Sequence, residues 1–267
     1  MSLFQLILAA IIQGITEFLP ISSSGHLILL PSLTGLDDQG LAIDVAVHLG
    51  TLGAVVLYFW SEVKQAASGL PRALTGRTDS AEARLAMGLI IATIPTIIVG
   101  AILFKTGLSQ SLRSIAVIGW TMLGFGLLLY WMDQKGPQTK KAGDWGIKDA
   151  AIMGLWQVLA LIPGTSRSGI TITGARHLGY TREDGARIAM LMSIPTILAS
   201  GTLLSVDVIR EADAQLAIDG AIAAFFSFIS ALLALTLMMR LLRSVSFTPY
   251  VIYRVVLGAA LLIIAYS

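Results

Sequence analysis

Six long apolar runs constrain this chain more than any other feature of its sequence. Each approaches or reaches the roughly 20 apolar residues that an α-helix needs to cross a bilayer. Of the 267 residues, 55% are hydrophobic and 13% are charged, whereas soluble domains carry about 25% charged residues. The runs are residues 41–60, 86–104, 115–132, 188–206, 217–239 and 249–266. We therefore expect an all-α, polytopic integral membrane protein with one transmembrane domain, residues 1–267.

Composition also excludes several classes of site and partner. The chain has no cysteine, which excludes disulfides, thiolate metal sites and a cysteine nucleophile. Its net charge is only +2, and its basic residues are scattered through the loops, so we expect no nucleic-acid partner. The first ten residues, MSLFQLILAA, lack the basic region and cleavage site of a signal peptide, and we expect them to belong to the mature structure.

Two further apolar stretches are each interrupted by a proline and a polar segment. Both have the pattern helix, break and half-helix: residues 3–19 with Pro20 and 27–34, then residues 150–162 with Pro163 and 170–178. Irregular backbone at membrane depth is tolerated only where protein or a water-filled cavity satisfies it. Paired interruptions in two halves of a chain indicate a binding site near the middle of the membrane. We therefore predict two re-entrant helix-loop-helix pairs.

Three spans follow each broken pair, which indicates an internal repeat. An odd number of crossings inverts the second half, so we predict inverted-topology repeats of about residues 1–132 and 148–267, joined by a cytoplasmic loop, 133–147. Lys and Arg favour the cytoplasmic side, and they cluster in 61–84, 133–149, 176–187 and 240–248. Segment 204–219 carries Arg210 against Asp207, Glu211, Asp213 and Asp219. We expect that segment and both termini to lie outside.

Gln13 and Glu17 form a candidate polar face of the first broken pair. They are four residues apart and so share one face of a helix. Glu17 is flanked by apolar residues in ITEFLP, and an ionisable group at membrane depth usually marks a substrate, ion or proton site. The alternative is a carboxylate near the outer interface that binds no ligand. We take Glu17 as a candidate catalytic residue.

The polar segment after Pro20 supplies groups suited to bind an anion. Serine hydroxyls and the unpaired N–H groups that begin the second half-helix can hold an anion on the helix dipole. His26 lies one turn into that half-helix and can act as nucleophile or general acid–base, although a lone membrane histidine more often serves helix packing. The candidate residues of this segment are Ser22, Ser23, Ser24, Gly25 and His26.

The polar segment after Pro163 places a fixed cation among hydrogen-bond donors. Arginine suits bidentate contacts with phosphate, and an arginine within a membrane must be compensated by a carboxylate or a bound anion. The alternative is an arginine that only ties loop carbonyls together. If the two breaks meet, Glu17 and Arg167 face one cavity. The candidate residues of this segment are Gly164, Ser166, Arg167, Ser168 and Thr171.

Three polar residues within the predicted spans are weaker candidates. His48 can line the same cavity, but core packing is the favoured interpretation. Tyr253 and Arg254 lie in the last apolar run, where an arginine needs a partner. Arg254 either reaches the cavity or extends towards the interface, and the sequence leaves both alternatives open.

The polar segments also carry a resemblance to a known family. QGITEFLPISSSGH at 13–26 and PGTSRSGIT at 163–171 resemble the two signature motifs of the undecaprenyl-diphosphate phosphatases, the bacitracin-resistance family. The likeness continues through HLGTLGAVVLYFW at 48–60 and SFTPYVIYR at 246–254. It implies a metal-dependent membrane enzyme that hydrolyses undecaprenyl diphosphate to undecaprenyl phosphate and inorganic phosphate. Such an enzyme recycles the lipid carrier of peptidoglycan synthesis and confers bacitracin resistance.

The resemblance also implies roles for individual residues. The active-site positions of the family match Gln13, Glu17, Ser23, His26, Ser166, Arg167 and Thr171. Mg²⁺ or Ca²⁺ would be held by Glu17, with Gln13 as a ligand directly or through water. Because the first motif position is glutamine, a metal site built from protein ligands alone is disfavoured. By the same resemblance we expect a site that opens to the periplasmic face of the bacterial inner membrane, with a polyprenyl diphosphate as its lipid partner.

Several points stay open at this stage. The nucleophile is either Ser23 activated by His26 or His26 itself, with Ser23 slightly favoured. Arg167 and neighbouring donors would hold the diphosphate and stabilise the charge that develops during phosphoryl transfer, while the polyprenyl tail lies between spans. A secondary transporter or flippase of a phosphate-bearing lipid or anion is the alternative, because broken helices in inverted repeats also suit transport. The sequence is compatible with a homodimer but does not test one.

Overall fold

The computed structural model describes residues 2–35, 39–211 and 214–267, and within these ranges the secondary structure is helical, with one isolated bridge between Lys140 and Tyr180. Two short 3₁₀ helices cover Ala142–Asp144 and Leu159–Leu161. The α-helices are α1 Leu3–Phe18, α2 Ser23–Thr34, α3 Gly40–Tyr58, α4 Trp60–Leu74, α5 Ala81–Thr106, α6 Leu108–Ser111, α7 Ile115–Lys135, α8 Ile147–Val158, α9 Arg167–His177, α10 Arg182–Glu211, α11 Ala214–Leu241 and α12 Thr248–Tyr266.

Six of these helices are long and apolar enough to cross a membrane: α3, α5, α7, α10 over Arg182–Leu204, α11 and α12. The predicted class, an all-α polytopic membrane protein with six spans, is therefore confirmed. Some helices extend beyond the apolar runs read from the sequence because they continue into the polar residues that flank those runs. α5, for example, begins at Ala81 because the Ser80 hydroxyl caps it by accepting a hydrogen bond from the Ala83 N–H. The basic loop 61–84 contains a helix of its own, α4.

Both predicted helix breaks are present. α1 ends shortly before Pro20, and the 3₁₀ turn after α8 ends shortly before Pro163, as expected of a residue that has no N–H to donate. The chain then passes through Ser22 and Ser166, which have φ angles of 74° and 71°. Positive φ is uncommon outside glycine, so each break is a specific turn that the surrounding structure holds in place.

The short helices pack across the two halves of the chain. α1 lies against α11 and α3, whereas α8 lies against α5. Glycines allow these close approaches: a Cβ on Gly14 would lie 2.6 Å from the Ser227 carbonyl oxygen, and one on Gly154 would lie 2.7 Å from that of Ala92. Each broken pair thus packs against a span of the other half. The inversion of the halves, their limits and the re-entry of the breaks into a bilayer stay predictions.

A buried ion cluster joins three helices at one end of the bundle. The Asp133 carboxylate accepts hydrogen bonds from Arg182 at 2.7 Å and from Arg176 at 3.3 Å, and both Asp133 and Arg176 are inaccessible to solvent. Lys140 pairs nearby with Asp149 at 2.8 Å. Several cations used to predict the cytoplasmic side are therefore bound in structural ion pairs. On the predicted outer side, Asp213 and the side chains of Asp207, Arg210 and Glu211 lie outside the described part of the chain.

Candidate active site

A polar cavity of about 170 Å³ lies where the two helix breaks meet. The Ser168 hydroxyl donates a hydrogen bond of 2.9 Å to the Leu19 carbonyl and so connects the second break to the first. The lining residues come from both breaks, α3 and α10: Glu17, Ser22, Ser23, Ser24, His48, Ala160, Ser166, Arg167, Thr196, Ile197 and Ser200. Predicted candidates from two distant segments of the sequence therefore share one cavity.

Glu17 lies at the centre of the hydrogen-bond network in this cavity. Its Oε1 accepts from Arg167 Nη2 at 2.7 Å, and its Oε2 accepts from Ser23 Oγ at 2.6 Å. Gln13 Nε2 also donates to Oε2, at 2.9 Å, as their spacing on α1 predicts. The carboxylate is 8% exposed. It therefore accepts hydrogen bonds from both breaks and from its own helix.

Arg167 has the compensating carboxylate that the sequence requires. Besides its ion pair with Glu17, the guanidinium donates from Nη1 to the Ser193 carbonyl of α10 at 3.0 Å. A buried ion pair is costly to desolvate and is stable only when further hydrogen bonds satisfy both partners. These contacts hold the guanidinium at the cavity wall, where an anion can reach it.

The two breaks share a local motif, serine–x–serine–glycine, at residues 22–25 and 166–169. In each, the first serine caps the following helix: the Ser22 hydroxyl accepts from the Gly25 N–H, and the Ser166 hydroxyl accepts from the Gly169 N–H. The N-termini of α2 and α9 therefore both lie at the cavity wall, where their N–H groups and dipoles favour an anion. The x positions are Ser23 in the first motif and Arg167 in the second, and each of these side chains donates a hydrogen bond to Glu17.

His26 does not lie in this cavity. Its Nδ1 is 2.6 Å from the Ser22 carbonyl, which can only accept, so Nδ1 carries the proton and Nε2 accepts from the Tyr253 hydroxyl at 2.6 Å. The two rings also stack, with centroids 5.7 Å apart. In the described residues no hydrogen bond joins His26 to Ser23. The arrangement in which His26 activates Ser23 is thus not present, and Glu17 contacts Ser23 instead.

The remaining predicted residues lie behind the cavity wall. Thr171 Oγ1 donates to the Arg167 carbonyl at 2.8 Å and supports the first turn of α9. Gly25 contributes its N–H to the serine cap. Gly164 has a φ of 84°, and a Cβ there would lie 2.2 Å from Thr121 Oγ1, so only glycine fits. We assign Gly25, Gly164 and Thr171 to the shape of the turns.

Two groups at the site were not favoured or not found by sequence reasoning. His48, for which core packing was favoured, lines the cavity with Nε2 3.9 Å from Glu17 Oε2. An ionisable residue within a span is itself a signal of function, and His48 carries that signal in the sequence. The α10 residues Thr196 and Ser200 also line the cavity, and no motif in the sequence connects them with either break.

Arg254 follows neither of the two alternatives left open for it. It is absent from the cavity lining and does not extend to an interface, because it is 0% exposed. Its guanidinium donates to backbone carbonyls of both breaks, including Pro20 and Thr165. It therefore lies behind the site as part of its support.

An apolar groove of about 600 Å³ adjoins the polar cavity. It runs between α5 and α10 and shares Thr196 and Ser200 with the cavity lining. Its other lining residues are Thr96, Ile97, Gly100, Ala101, Leu103, Phe104, Leu161, Ala199, Thr202, Leu203 and Leu204. The groove and the cavity together suit a ligand with a polar head and an apolar chain.

The side chains around the cavity determine whether it can hold the divalent cation that the resemblance implies. Among residues 2–35, 39–211 and 214–267, no three His, Asp or Glu side chains converge on a metal position. One buried acceptor beside Glu17, the Gln13 Oε1 atom, has no hydrogen-bond partner in these ranges. A carboxylate, an amide oxygen and serine hydroxyls fit a hard cation such as Mg²⁺, which takes one or two protein oxygens and completes its shell with substrate oxygens and water.

Comparison with known proteins agrees with this architecture. The family model described as bacitracin resistance protein BacA matches residues 6–260. A Ruegeria pomeroyi protein named undecaprenyl-diphosphatase is 74% identical over 267 residues, with 100% of both chains covered. Rhodospirillum rubrum has a protein named undecaprenyl-diphosphatase 1 that is 46% identical, with 100% of this chain and 96% of the relative covered. From these matches over nearly its whole length, the chain belongs to the bacitracin resistance protein BacA family.

Proposed function

We propose that this chain hydrolyses the terminal phosphoanhydride bond of undecaprenyl diphosphate and so returns the lipid carrier as its monophosphate. The relatives are named for that activity. One observation of the structure carries the proposal: Ser23 and Arg167 meet on Glu17, in a polar cavity that shares the lining residues Thr196 and Ser200 with an apolar groove. A nucleophile, a base and a phosphate-binding cation are thus within reach of one bound headgroup.

Binding begins with the diphosphate in the polar cavity. The Arg167 guanidinium and the N-termini of α2 and α9 hold its oxygens, since fixed cations and N–H groups stabilise phosphate without reorganising. Because Arg167 is already held by Glu17 and the Ser193 carbonyl, it needs little further ordering when the substrate binds. The pre-positioned donors act most strongly on the charge of the phosphoryl-transfer transition state.

Ser23 is the proposed nucleophile and Glu17 its base. Ser23 Oγ already donates to Glu17 Oε2 at 2.6 Å, so the proton passes to the carboxylate as Oγ attacks the terminal phosphorus. The bond to the bridging oxygen breaks, and undecaprenyl phosphate leaves with that oxygen and the proton from Glu17. Water then attacks the phosphoserine and gives a proton to Glu17, the bond between Ser23 Oγ and phosphorus breaks, inorganic phosphate leaves, and Oγ takes the proton back from Glu17.

Glu17 and Gln13 Oε1 would hold a divalent cation, Mg²⁺ or Ca²⁺, which supplies neutralising charge to the phosphate oxygens. Because Glu17 is the single carboxylate at this place, such an ion would also need oxygens from the substrate or from water. His26 does not contact the reacting groups in this scheme. It holds the Ser22 carbonyl and Tyr253, and thereby the turn that carries Ser23.

The apolar groove between α5 and α10 is proposed to take the first isoprene units of the lipid tail. Its lining includes the exposed side chains of Ile97, Phe104 and Leu203. Burial of apolar surface stabilises such a tail by about 25 cal/mol per Å². The shared residues Thr196 and Ser200 mark the junction of headgroup and tail.

We extend the proposal to cellular location. The chain would reside in the bacterial inner membrane with its cavity open to the periplasmic face and both termini outside. The charge bias of the sequence supports this orientation, because Lys and Arg cluster in 61–84, 133–149, 176–187 and 240–248.

The direct test is inorganic phosphate release from undecaprenyl diphosphate by the full chain in detergent, with Mg²⁺, with Ca²⁺ or with EDTA. We expect cation-dependent release that is lost in Glu17→Gln and retained in Glu183→Gln, a surface carboxylate paired with exposed Arg243. Folding of each variant is checked by gel filtration. Absence of release from folded wild-type chain under all three conditions would contradict the proposal, and lipid or anion counterflow in liposomes would then test the transporter.

A further inference from the structure

Arg254 of α12 is a fully buried cation whose hydrogen bonds within the described residues all go to backbone carbonyls. Its exposed fraction is 0%, and within the described residues it has no ion pair. The guanidinium instead donates to five carbonyl oxygens, those of Met122 at 3.1 Å, Pro20 at 3.3 Å, Thr121 at 3.3 Å, Gly164 at 3.2 Å and Thr165 at 2.9 Å. Three of the five belong to the two helix breaks.

These carbonyls explain why a cation is stable in this place. A helix that ends leaves its last carbonyls without intrahelical partners, and an unsatisfied carbonyl within a membrane costs several kcal/mol. Arginine has five N–H donors in a rigid fork, so one side chain can serve acceptors on several segments. Arg254 thus satisfies carbonyls of both breaks at the same time, which a lysine ammonium with three donors at one point does less well.

The segments held by Arg254 lead directly into the reacting residues. Thr165 lies two residues before Arg167, and Pro20 lies three residues before Ser23. Arg167 and Ser23 are the two side chains that meet on Glu17. Any change in the separation of the two breaks therefore changes the position of the guanidinium relative to the nucleophile.

Packing around Arg254 leaves it little freedom. A Cβ on Gly169, in the second serine motif, would lie 2.8 Å from Arg254 Nη1, so the absence of a side chain there allows the guanidinium to reach the break. On α7, a Cβ on Gly126 would lie 3.2 Å from Arg254 Cβ and 3.4 Å from Nε. The arginine is enclosed on both sides by glycines.

We propose that Arg254 is a positioning residue for the phosphatase reaction: it holds the two helix breaks at the separation that places Arg167 and Ser23 on one carboxylate. This inference rests on the proposed function. Its consequence is specific, because loss of position affects the chemical step more than binding. A misplacement of about 1 Å can cost 10²-fold in rate.

The test compares Arg254→Gln and Arg254→Lys with Arg240→Gln, which removes an exposed arginine at the end of α11. kcat and KM for undecaprenyl diphosphate are measured per folded molecule after gel filtration. We expect Arg254→Gln to lower kcat by about 30-fold or more and to change KM by less than about threefold. Arg254→Lys is expected to fall between it and the wild type, and Arg240→Gln to match the wild type.

A second pair of variants perturbs Arg254 without removing it. Gly126→Ala and Gly124→Ala both add a methyl group to α7, but only the first meets Arg254, since a Cβ on Gly124 has no neighbour within 4 Å. We expect kcat to fall severalfold in Gly126→Ala alone. This pair decides the question if neither Arg254 variant folds.

Three results would overturn the inference. They are a wild-type kcat in folded Arg254→Gln, a raised KM with unchanged kcat in that variant, or equal kcat values for Gly126→Ala and Gly124→Ala. A wild-type chain that releases no phosphate is a different outcome, which would overturn the proposed function and this inference with it.

Discussion

The two serine motifs have the same backbone conformation but different chemistry. Both begin with a serine at positive φ that caps the next helix, Ser22 in one and Ser166 in the other. The hydroxyls of the first and third residues lie 3.4 Å apart in the first motif and 3.1 Å apart in the second. The variable position is serine in the first motif and arginine in the second. One capped turn is thus used twice, once to present the proposed nucleophile and once to present a cation.

The helices that precede the motifs differ in the same way. Glu17 and Leu161 stand at the same distance before their motifs. Glu17 lines the polar cavity, whereas Leu161 lines the apolar groove. At this matched position the chain thus carries a charged hydrogen-bond acceptor where it lines the polar cavity and an aliphatic side chain where it lines the apolar groove.

The largest fall in kcat is expected from substitution of Ser23, the variable position of the first motif. Ser23→Ala removes the proposed nucleophile and should lower kcat by about 10³-fold or more, while the exposed Ser61→Ala leaves it unchanged. The measurement is phosphate release, together with acid-quench labelling from terminally labelled substrate. Label trapped on the Ser23 peptide supports the assignment. Label trapped on another residue, or near-normal turnover by Ser23→Ala, would show that the first motif only binds the substrate and supplies no nucleophile.

The variable position of the second motif should come next. Arg167→Lys keeps the charge but loses the fork that contacts Glu17 and Ser193 together. We expect kcat to fall by about 10²-fold. Arg243→Lys, at an exposed position, serves as the control. Normal turnover by Arg167→Lys would show that the second motif contributes only its positive charge and not the planar fork of arginine.

A smaller loss of kcat is expected from substitution of His26, the residue that follows the first motif. His26 has no counterpart in the second motif, where Ile170 stands. Because His26 contacts Ser22 and Tyr253 rather than Ser23, His26→Asn should lower kcat by about tenfold without changing the shape of the pH–rate profile. Tyr253→Phe should have a similar effect, and the double variant should be no worse than either single one. A loss in His26→Asn as large as that in Ser23→Ala would restore His26 as nucleophile or base.

The smallest effect, a change in the Mg²⁺ requirement, is expected to distinguish the two buried glutamines. Gln13 and Gln157 occupy matching positions, both are 0% exposed, and the Oε1 atom of each lacks a partner in the described residues. Gln13 contacts Glu17, whereas Gln157 donates to Ala92 and Thr96. Gln13→Leu should raise the Mg²⁺ concentration for half-maximal activity by about tenfold, and Gln157→Leu should not. Equal Mg²⁺ curves for the two variants would remove Gln13 from the cation site.

Much of this architecture was predictable from sequence. The six spans and the two breaks follow from apolar length and from the prolines. The contact between Gln13 and Glu17 follows from helical spacing. These features depend on residues that are close in sequence, and local physical rules are sufficient for them.

The partners of the other site residues were not predictable in the same way. His26 was expected either to activate Ser23 or to be the nucleophile itself, and neither alternative predicted its contact with Tyr253, which is 227 residues away. His48 and Thr196 reach the cavity from α3 and α10, and their exposure there depends on how those spans pack against the breaks. No periodicity or motif carries that information.

For this protein, then, local sequence established the class of fold, the two helix breaks and the types of chemical group they carry. Packing between remote helices established which of those groups meet. Ser23 and Arg167 share Glu17 because α1 and α8 each pack against the other half, and because Arg254 donates to both breaks. A hydrogen bond requires two atoms within about 3 Å, and for residues 150 positions apart only the assembled helices bring them that close.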